Sequence, residues 1–381
     1  MRKSFFITLP ILFFSSVVAA QNAVAKKMFT VLTPTQSGID FRNDIVETKD
    51  LFYYTYEYLY NGGGVSIGDI NNDGWQDIYF SSTTASNKLY LNLGNMQFKD
   101  ITEQAGVTGG TGTKTGVNMV DINNDGWLDI FVCKAGIGDE KERAKILYIN
   151  NHNLTFANKA AEWGLNESSY TSQAHFFDHD KDGDVDVYFV NHPGSFENAM
   201  HLKGKIVNGK QTLIEDTTDQ YNTGRLFENK GSKFVDITKK TGVKNVAFGL
   251  SAVINDFNND GWPDIYVAND YVKPDYLYIN NKNGTYTEKL KDYFSHISIT
   301  SMGSDMADIN NDGHGDLFVV DMAIEDPVRQ KQLFAHNNQY DEFMLMLRLN
   351  LFYQYAHNVL QLNNGNGSFS DVAYYANVAE T

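Results

Sequence analysis

One nine-residue pattern, Asp-x-Asx-x-Asp-Gly-x-x-Asp, occurs five times in 381 residues, and few architectures other than a repeat array accommodate it. Its first, third, fifth, seventh and ninth positions are Asp69, Asn71, Asp73, Trp75 and Asp77 in the first copy and Asp121, Asn123, Asp125, Trp127 and Asp129 in the second. The third copy has Asp178, Asp180, Asp182, Asp184 and Asp186. The fourth has Asp256, Asn258, Asp260, Trp262 and Asp264, and the fifth Asp308, Asn310, Asp312, His314 and Asp316. Starts lie 52 to 78 residues apart, a period that suits propeller blades, solenoid coils or arrays.

The flanks repeat as well. After each ninth position comes a short β-branched and aromatic run: Ile78-Tyr79-Phe80, Ile130-Phe131-Val132, Val187-Tyr188-Phe189, Ile265-Tyr266-Val267 and Leu317-Phe318-Val319. Such runs read as buried strands. A further strand ends in Asn each time, at Asn92, Asn150, Asn229, Asn280 and Asn363, and an aromatic follows at Phe98, Phe156, Phe234, Tyr286 and Phe369. The gap between them is rich in Asn and Gly, which is hairpin chemistry. Another strand precedes each loop, such as Gly64–Ile67 or Ser251–Ile254. Four antiparallel strands per repeat predict an all-β fold, a β-propeller, with blades over about 62–107, 115–165, 172–243, 248–297 and 302–378. Solenoid repeats, with one or two strands each, fit less well.

Phe29–Leu32 followed by Gly38 resembles Phe98–Ile101 followed by Gly106. It is expected to be an orphan outer strand, with the inner strands of its blade lying beyond the chain's other end. The propeller region, 28–381, is thus expected to be an incomplete ring whose open end exposes strand edges.

Asp or Asn at positions 1, 3, 5 and 9 sets oxygens on alternate residues of a tight loop, and the position-7 carbonyl can join them. Hard oxygens without thiolate suit Ca²⁺, about five ions at one per blade. An EF-hand would need Glu at position 12, where Phe80, Val132, Phe189, Val267 and Val319 stand. A single copy could be a metal-free Asx turn; five copies of crowded carboxylates without a cation would repel one another. The third loop, with Asp at position 3, is expected to bind most tightly.

These loops, with their Leu-Tyr-x-Asn and Phe-x-Asp-Ile-Thr strands, resemble the FG-GAP/VCBS repeats. Among proteins that carry them, the chain is similar to bacterial secreted relatives of cartilage acidic protein, which add an ASPIC/UnbV domain. That resemblance covers about residues 28–381. It implies a seven-bladed calcium-bound propeller, of which five blades and no ASPIC/UnbV segment are visible, and so a C-terminally truncated piece.

Antiparallel order puts the Asp loops on one face and the links between second and third strands on the other. From the ninth Asp to the third strand those links take 12, 18, 40, 13 and 44 residues in chain order. Long links of this kind are usually functional or disordered. Asp341–Tyr355, with Phe343, Met344, Met346, Leu347 and Leu351, has helical apolar spacing and is expected to pack on the propeller. His175, His179, His192 and His201 are read as packing or surface histidines.

Arg2 and Lys3, the apolar run Phe5–Ala19 and the small residues before Gln21 form an export signal over 1–20, too short to span a bilayer. One cysteine, Cys133, excludes an intrachain disulfide. A net charge of −16 argues against nucleic acid. No nucleophile elbow, zinc-protease helix or phosphate loop is present. The expected function is a secreted, periplasmic or cell-surface scaffold, with structural calcium, that recognises an extracellular protein or glycan; the alternative is the propeller domain of a polysaccharide-acting enzyme.

Overall fold

A computed structural model describes residues 28–196, 202–214, 221, 223–322, 324, 326, 328–329 and 340–380. The export signal and His201 lie outside the described residues.

Each Asp loop connects the first two strands of a four-stranded antiparallel blade. Blade I comprises β1 (Val65–Gly68), β2 (Asp77–Phe80), β3 (Lys88–Asn92) and β4 (Phe98–Asp100). Blade II comprises β5 (Thr113–Val120), β6 (Asp129–Ala135), β7 (Ile146–Asn150) and β8 (Phe156–Asn158). Blade III has β9 (Thr171–Phe177) and β10 (Asp186–Asn191), then a separate exposed hairpin, β11 (Gly204–Val207) and β12 (Lys210–Leu213), before β13 (Arg225–Asn229) and β14 (Phe234–Asp236). Blade IV is β15 (Phe248–Asn255), β16 (Asp264–Asp270), β17 (Tyr276–Asn280) and β18 (Tyr286–Glu288). The short β19 (Ile297–Ser298) leads into blade V, with β20 (Ser304–Ala307), β21 (Asp316–Val319), β23 (Val359–Asn363) and β24 (Phe369–Asp371); β22 (Gln354–Tyr355), in its long link, pairs in parallel with β19. The fold is all-β and propeller-like, as the repeats predict.

First strands of consecutive blades lie side by side, β1 by β5, β5 by β9, β9 by β15 and β15 by β20. Between blades the second strands bury one aromatic or aliphatic side chain after another. The seam of blades I and II holds Tyr79, Leu89, Val117, Ile130, Val132 and Phe156. That of blades IV and V holds Phe257, Tyr266, Leu277, Leu317, Val319 and Phe369. At roughly 1.5–3 kcal/mol per fully buried large apolar side chain, these seams dominate blade-to-blade cohesion.

A polar rivet crosses each seam. The Asn that ends a third strand is buried, and its Nδ2 donates to the second-position carbonyl of the preceding blade's Asp loop. Asn150 reaches Ile70 at 2.8 Å, Asn229 reaches Ile122 at 3.3 Å, Asn280 reaches His179 at 3.0 Å and Asn363 reaches Phe257 at 3.4 Å. The same amide group turns the following hairpin: Asn280 Oδ1 accepts the Lys282 N–H at 2.8 Å.

Phe29–Leu32 is extended but carries no ladder among the described residues, and Phe29 and Val31 are 86% and 91% exposed. The expected outer strand is therefore absent as a strand, since a strand exists only through a partner. Its sequel does hold the predicted place. Gly38 (φ +80°) closes a one-turn helix, and an added Cβ there would lie 2.2 Å from the Phe98 carbonyl; Gly106 and Gly242 lean on the Phe156 and Tyr286 carbonyls in the same way.

Residues 43–64 then cross the face opposite the Asp loops, a course the sequence did not reveal. The turn Glu57–Tyr60 plugs the centre there. Tyr56, Tyr58 and Leu59 pack on Ala135, Phe248 and Leu250, drawn from blades II and IV. Tyr58 donates to Asp270 at 3.1 Å, and Tyr271 donates to Glu57 at 2.6 Å. The helix Tyr340–Arg348 lies against the propeller as predicted, with Met346 and Leu349 on Val272 and Ile299 and beside Leu213 of the β11–β12 hairpin.

Two measurements check this scheme. Asn280→Ala removes donor contacts to His179, Pro263 and Tyr286 and a turn acceptor and should lower unfolding stability by about 3 kcal/mol, while Asn280→Asp, which sets a carboxylate against two carbonyls, should cost more. Buried Asp275 is pushed up to about 7, first by desolvation, against hydrogen bonds from Tyr266, the Asn269 N–H and Ser301. A carboxyl with a raised folded pKa loses stabilisation as pH rises from its unfolded value near 4 to its folded value near 7. In denaturant titrations at pH 5 and 7.5, Asp275→Asn should flatten that decline by roughly 2 kcal/mol.

Candidate metal centres

The five loops share one backbone course. Position 4 is left-handed in each, at Asn72, Asn124, Lys181, Asn259 and Asn311, and so is the glycine at position 6, with φ from 84° to 97°. Two left-handed residues in a row of three coil the chain so that oxygens from one side converge. Asn tolerates that conformation and Gly adopts it freely.

Inside the coil the backbone N–H groups point at carboxylates. In loop one, Asp69 accepts from Asp73 N at 3.1 Å and from Gly74 N at 2.7 Å, and Asp73 accepts from Trp75 N at 2.8 Å. Asn71 Oδ1 accepts from Asp73 N at 3.2 Å, while its Nδ2 donates to Asp73 Oδ2 at 2.9 Å. The position-1 and position-5 contacts recur in every loop. Asp121 and Asp125 make them in the second, Asp178 and Asp182 in the third, Asp256 and Asp260 in the fourth, and Asp308 and Asp312 in the fifth. Asn123, Asn258 and Asn310 repeat the amide bond to position 5.

Position 9 differs from the rest in being wholly buried. Asp77, Asp129, Asp186, Asp264 and Asp316 are 0–1% exposed. One oxygen takes the N–H of position 2, and the other takes the N–H of the third-strand Asn: Asp77 binds Ile70 at 3.0 Å and Asn92 at 2.7 Å, and Asp264 binds Phe257 at 2.9 Å and Asn280 at 2.8 Å. In the first four, desolvation is the largest influence, the backbone N–H bonds oppose it, and neighbouring carboxylates add to it. Asp77 is pushed up to about 6, and Asp129, Asp186 and Asp264 to about 7.

The third loop gathers the most charge. Carboxylate oxygens of Asp178, Asp180 and Asp186 all lie within 4.8 Å of one another. Asp180 lacks the amide donor that Asn supplies elsewhere, and burial and Asp182 raise its pKa against the pull of His179. Asp184 supplies the position-7 backbone. Elsewhere the position-7 side chain covers its own blade: Trp75 lies on Gly94, Trp127 stacks on His152 at 4.7 Å, and His314 lies against Gly365. Across to the previous loop, Lys181 sits 5.0 Å over the Trp262 ring.

Sequence reasoning singled out the loop residues but missed the third-strand Asn as their anchor, although its recurrence was in view. The blade III histidines stand apart from one another in role. His192 is buried among Tyr56, Tyr58, Tyr170 and Phe196, and burial pushes it down to about 4; His175 behaves alike. Among the described residues no helix is long and apolar enough to cross a membrane.

Comparison with known proteins agrees with the repeat geometry. The FG-GAP-like repeat family matches residues 69–132 and 256–319, which contain loops one, two, four and five. Cartilage acidic protein 1 of Xenopus tropicalis is 25% identical over 213 residues, covering 55% of this chain and 29% of that protein. The Homo sapiens protein of the same name is 24% identical over 230 residues, covering 60% and 31%. The chain thus spans about three-tenths of the length of these curated relatives. Among solved structures, a lectin of Agrocybe aegerita, described as recognising non-reducing terminal N-acetylglucosamine, aligns over 80% of this chain and 64% of its own at 17% identity and a TM-score of 0.37. Residues 69–132 and 256–319, with the loops and strands they hold, are FG-GAP-like repeats, and this chain is similar over more than half its length to cartilage acidic protein 1.

Proposed function

We propose that this chain is an exported calcium-binding scaffold that recognises a protein or glycan on the face opposite its Asp loops. The observation that carries the calcium reading is the convergence, five times over, of oxygen donors at positions 1, 3, 5 and 9 on a coil whose ninth carboxylate is buried, and burial raises the pKa of that carboxylate in Asp77, Asp129, Asp186 and Asp264. A divalent cation relieves that repulsion. Its donor set of carboxylates, amides and one carbonyl is Ca²⁺ chemistry, with Mg²⁺ disfavoured by its strict octahedral demand. The ion is structural in this reading, because loops one to four are each riveted to the next blade.

Recognition is assigned to the other face for a geometric reason. The long links of blades III and V meet there, and a cleft of about 610 Å³ lies between β12, the turn Lys273–Tyr276 and Leu349–Leu351. Lys210, Lys273 and Lys291 line it beside Glu288, a mixed polar surface suited to a polar partner. Export rests on the signal at residues 1–20. The reading is of binding and not catalysis, since the sequence carries no catalytic motif and its clustered acids are committed to the loops.

Calcium removal from the folded protein should lower the melting temperature by more than about 10 °C, given about 2.7 kcal/mol per site at a hundredfold excess over Kd. Asp260→Ala should reproduce part of that loss and reduce calorimetric stoichiometry by one ion. A melting curve indifferent to chelator would overturn the reading. Asp180→Asn should weaken the tightest site about tenfold, the equivalent of 1.4 kcal/mol; an unchanged affinity would remove the special standing of loop three.

A further inference from the structure

A second kind of site sits at the outer edge of blade V, away from the Asp loops. In blades I, III and V the fourth strand ends in an aspartate that organises the turn after it. Asp100 Oδ1 accepts the Thr102 N–H at 2.9 Å, and Asp371 Oδ1 accepts the Ala373 N–H at 3.0 Å and the Leu360 N–H at 3.1 Å. The outer oxygen of this carboxylate meets a permanent cation in blade I, Lys88 at 2.6 Å, and in blade III, Arg225 at 3.7 Å. Both cations head the third strand. Blade V has Val359 there, and among the described residues no lysine or arginine takes the role. Instead two imidazoles converge on Asp371 Oδ2, His296 Nε2 and His357 Nε2, each at 3.0 Å.

We propose that His296, His357 and Asp371 bind a transition-metal dication, with Zn²⁺ the best match. The three donors come from three separate stretches of chain: the link from blade IV, the end of the long link of blade V, and its outer strand. Their ligand atoms all lie within 4.8 Å of one another. A tetrahedral zinc with bonds of about 2.0–2.1 Å sets its ligands roughly 3.3 Å apart, so the 3.0 Å contacts need open by only a few tenths of an ångström. Two nitrogens and one oxygen are zinc chemistry and poor calcium chemistry.

Supporting contacts of the kind that orient metal ligands are in place. Asp371 is held through its other oxygen by two backbone N–H groups, and His296 Nδ1 lies 3.1 Å from Ser295 Oγ. His296 is edged by Tyr355 and His357 faces Tyr374, with ring centres 5.3 and 5.2 Å apart. His357 and Asp371 are nearly buried while 22% of the His296 side chain is exposed, which leaves the fourth position to water. Tyr355 also stacks on Phe343 of the helix Tyr340–Arg348 and belongs to β22. An ion here pins the returning end of the long link onto the blade, on the face assigned to recognition.

The experiment uses tag-free full chain saturated with calcium, so that the Asp loops are occupied before zinc is added. Zinc should bind at one equivalent, and Co²⁺ in its place should give the visible absorption of a tetrahedral nitrogen–oxygen site that zinc displaces. His296→Ala should weaken zinc binding at least a hundredfold. His357→Gln keeps an N–H that can donate to Asp371 but removes the zinc ligand. Without zinc it should melt like the parent, and the zinc-induced rise in melting temperature should vanish. Absence of saturable zinc uptake by the parent, or a zinc response that survives unchanged in His357→Gln, overturns the proposal.

Discussion

The structure depends on one arrangement: a buried carboxylate at the end of each Asp loop, gripped by one backbone N–H from the loop itself and one from the third strand. Asp264 ties its own loop to the end of the third strand through Phe257 N and Asn280 N, and Asn280 in turn ties that strand to the loop of the blade before it. The loop is thus the junction of three strands in two blades. A charge buried this deeply is expensive unless several donors meet it, which is why both oxygens are engaged and why desolvation still raises the pKa to about 7. Hydrophobic seams give the blades their cohesion, but they are non-directional. The carboxylate and the Asn set the register in which the seams close.

That junction explains how repeats of unequal length form equivalent blades. The strands and their pairing are constant: Ile78 opposes Tyr90, Ile130 opposes Tyr148 and Ile265 opposes Tyr278. Everything between second and third strands is free to vary, because no rivet passes through it. Blade I closes that link in a few residues, while blades III and V extend it into a hairpin and a helix that pack on each other through Leu213, Met346 and Leu349. The central plug has the same origin. Glu57–Tyr60 is held by Asp270 and Tyr271, both at the end of β16, where the strand leaves the riveted part of its blade.

Much of this was legible in the sequence because the information is local. Strand ends at Asn92, Asn150, Asn229, Asn280 and Asn363 and the aromatic openings of the fourth strands fall where the repeat spacing put them. Left-handed positions 4 and 6 follow from Asn-Asp-Gly chemistry in a single loop. What escaped was non-local. Nothing in Tyr56 or Tyr58 says that they will meet His192 and Phe196, about 140 residues away. Lys145 looks like a surface residue at a strand head, yet it is fully buried and paired with Glu167 at 2.8 Å. His296, His357 and Asp371 are too far apart in sequence to form a spaced motif, and the parallel pairing of β19 with β22 and the β23–β24 hairpin draw their chain segments together. Phe29–Leu32 erred the other way: its residues have strand character, but strand formation is decided by a partner.

The two faces of the blades therefore answer to different constraints. On one, nine residues must coil identically, with side chains committed to backbone donors and with position 4 touching the next loop, as Asn72 touches the Gly126 carbonyl at 3.0 Å. A substitution there propagates to two blades. On the other, links begin and end at fixed strand termini but are otherwise unconstrained, so length, charge and aromatic content can change without disturbing the register. Binding specificity is most easily built where the scaffold does not use the residues itself. The cleft by β12 and the imidazole pair of blade V both lie on that unconstrained side. There the blade-V departure from the Lys88–Asp100 pattern is a local change of chemistry on a frame that stays the same.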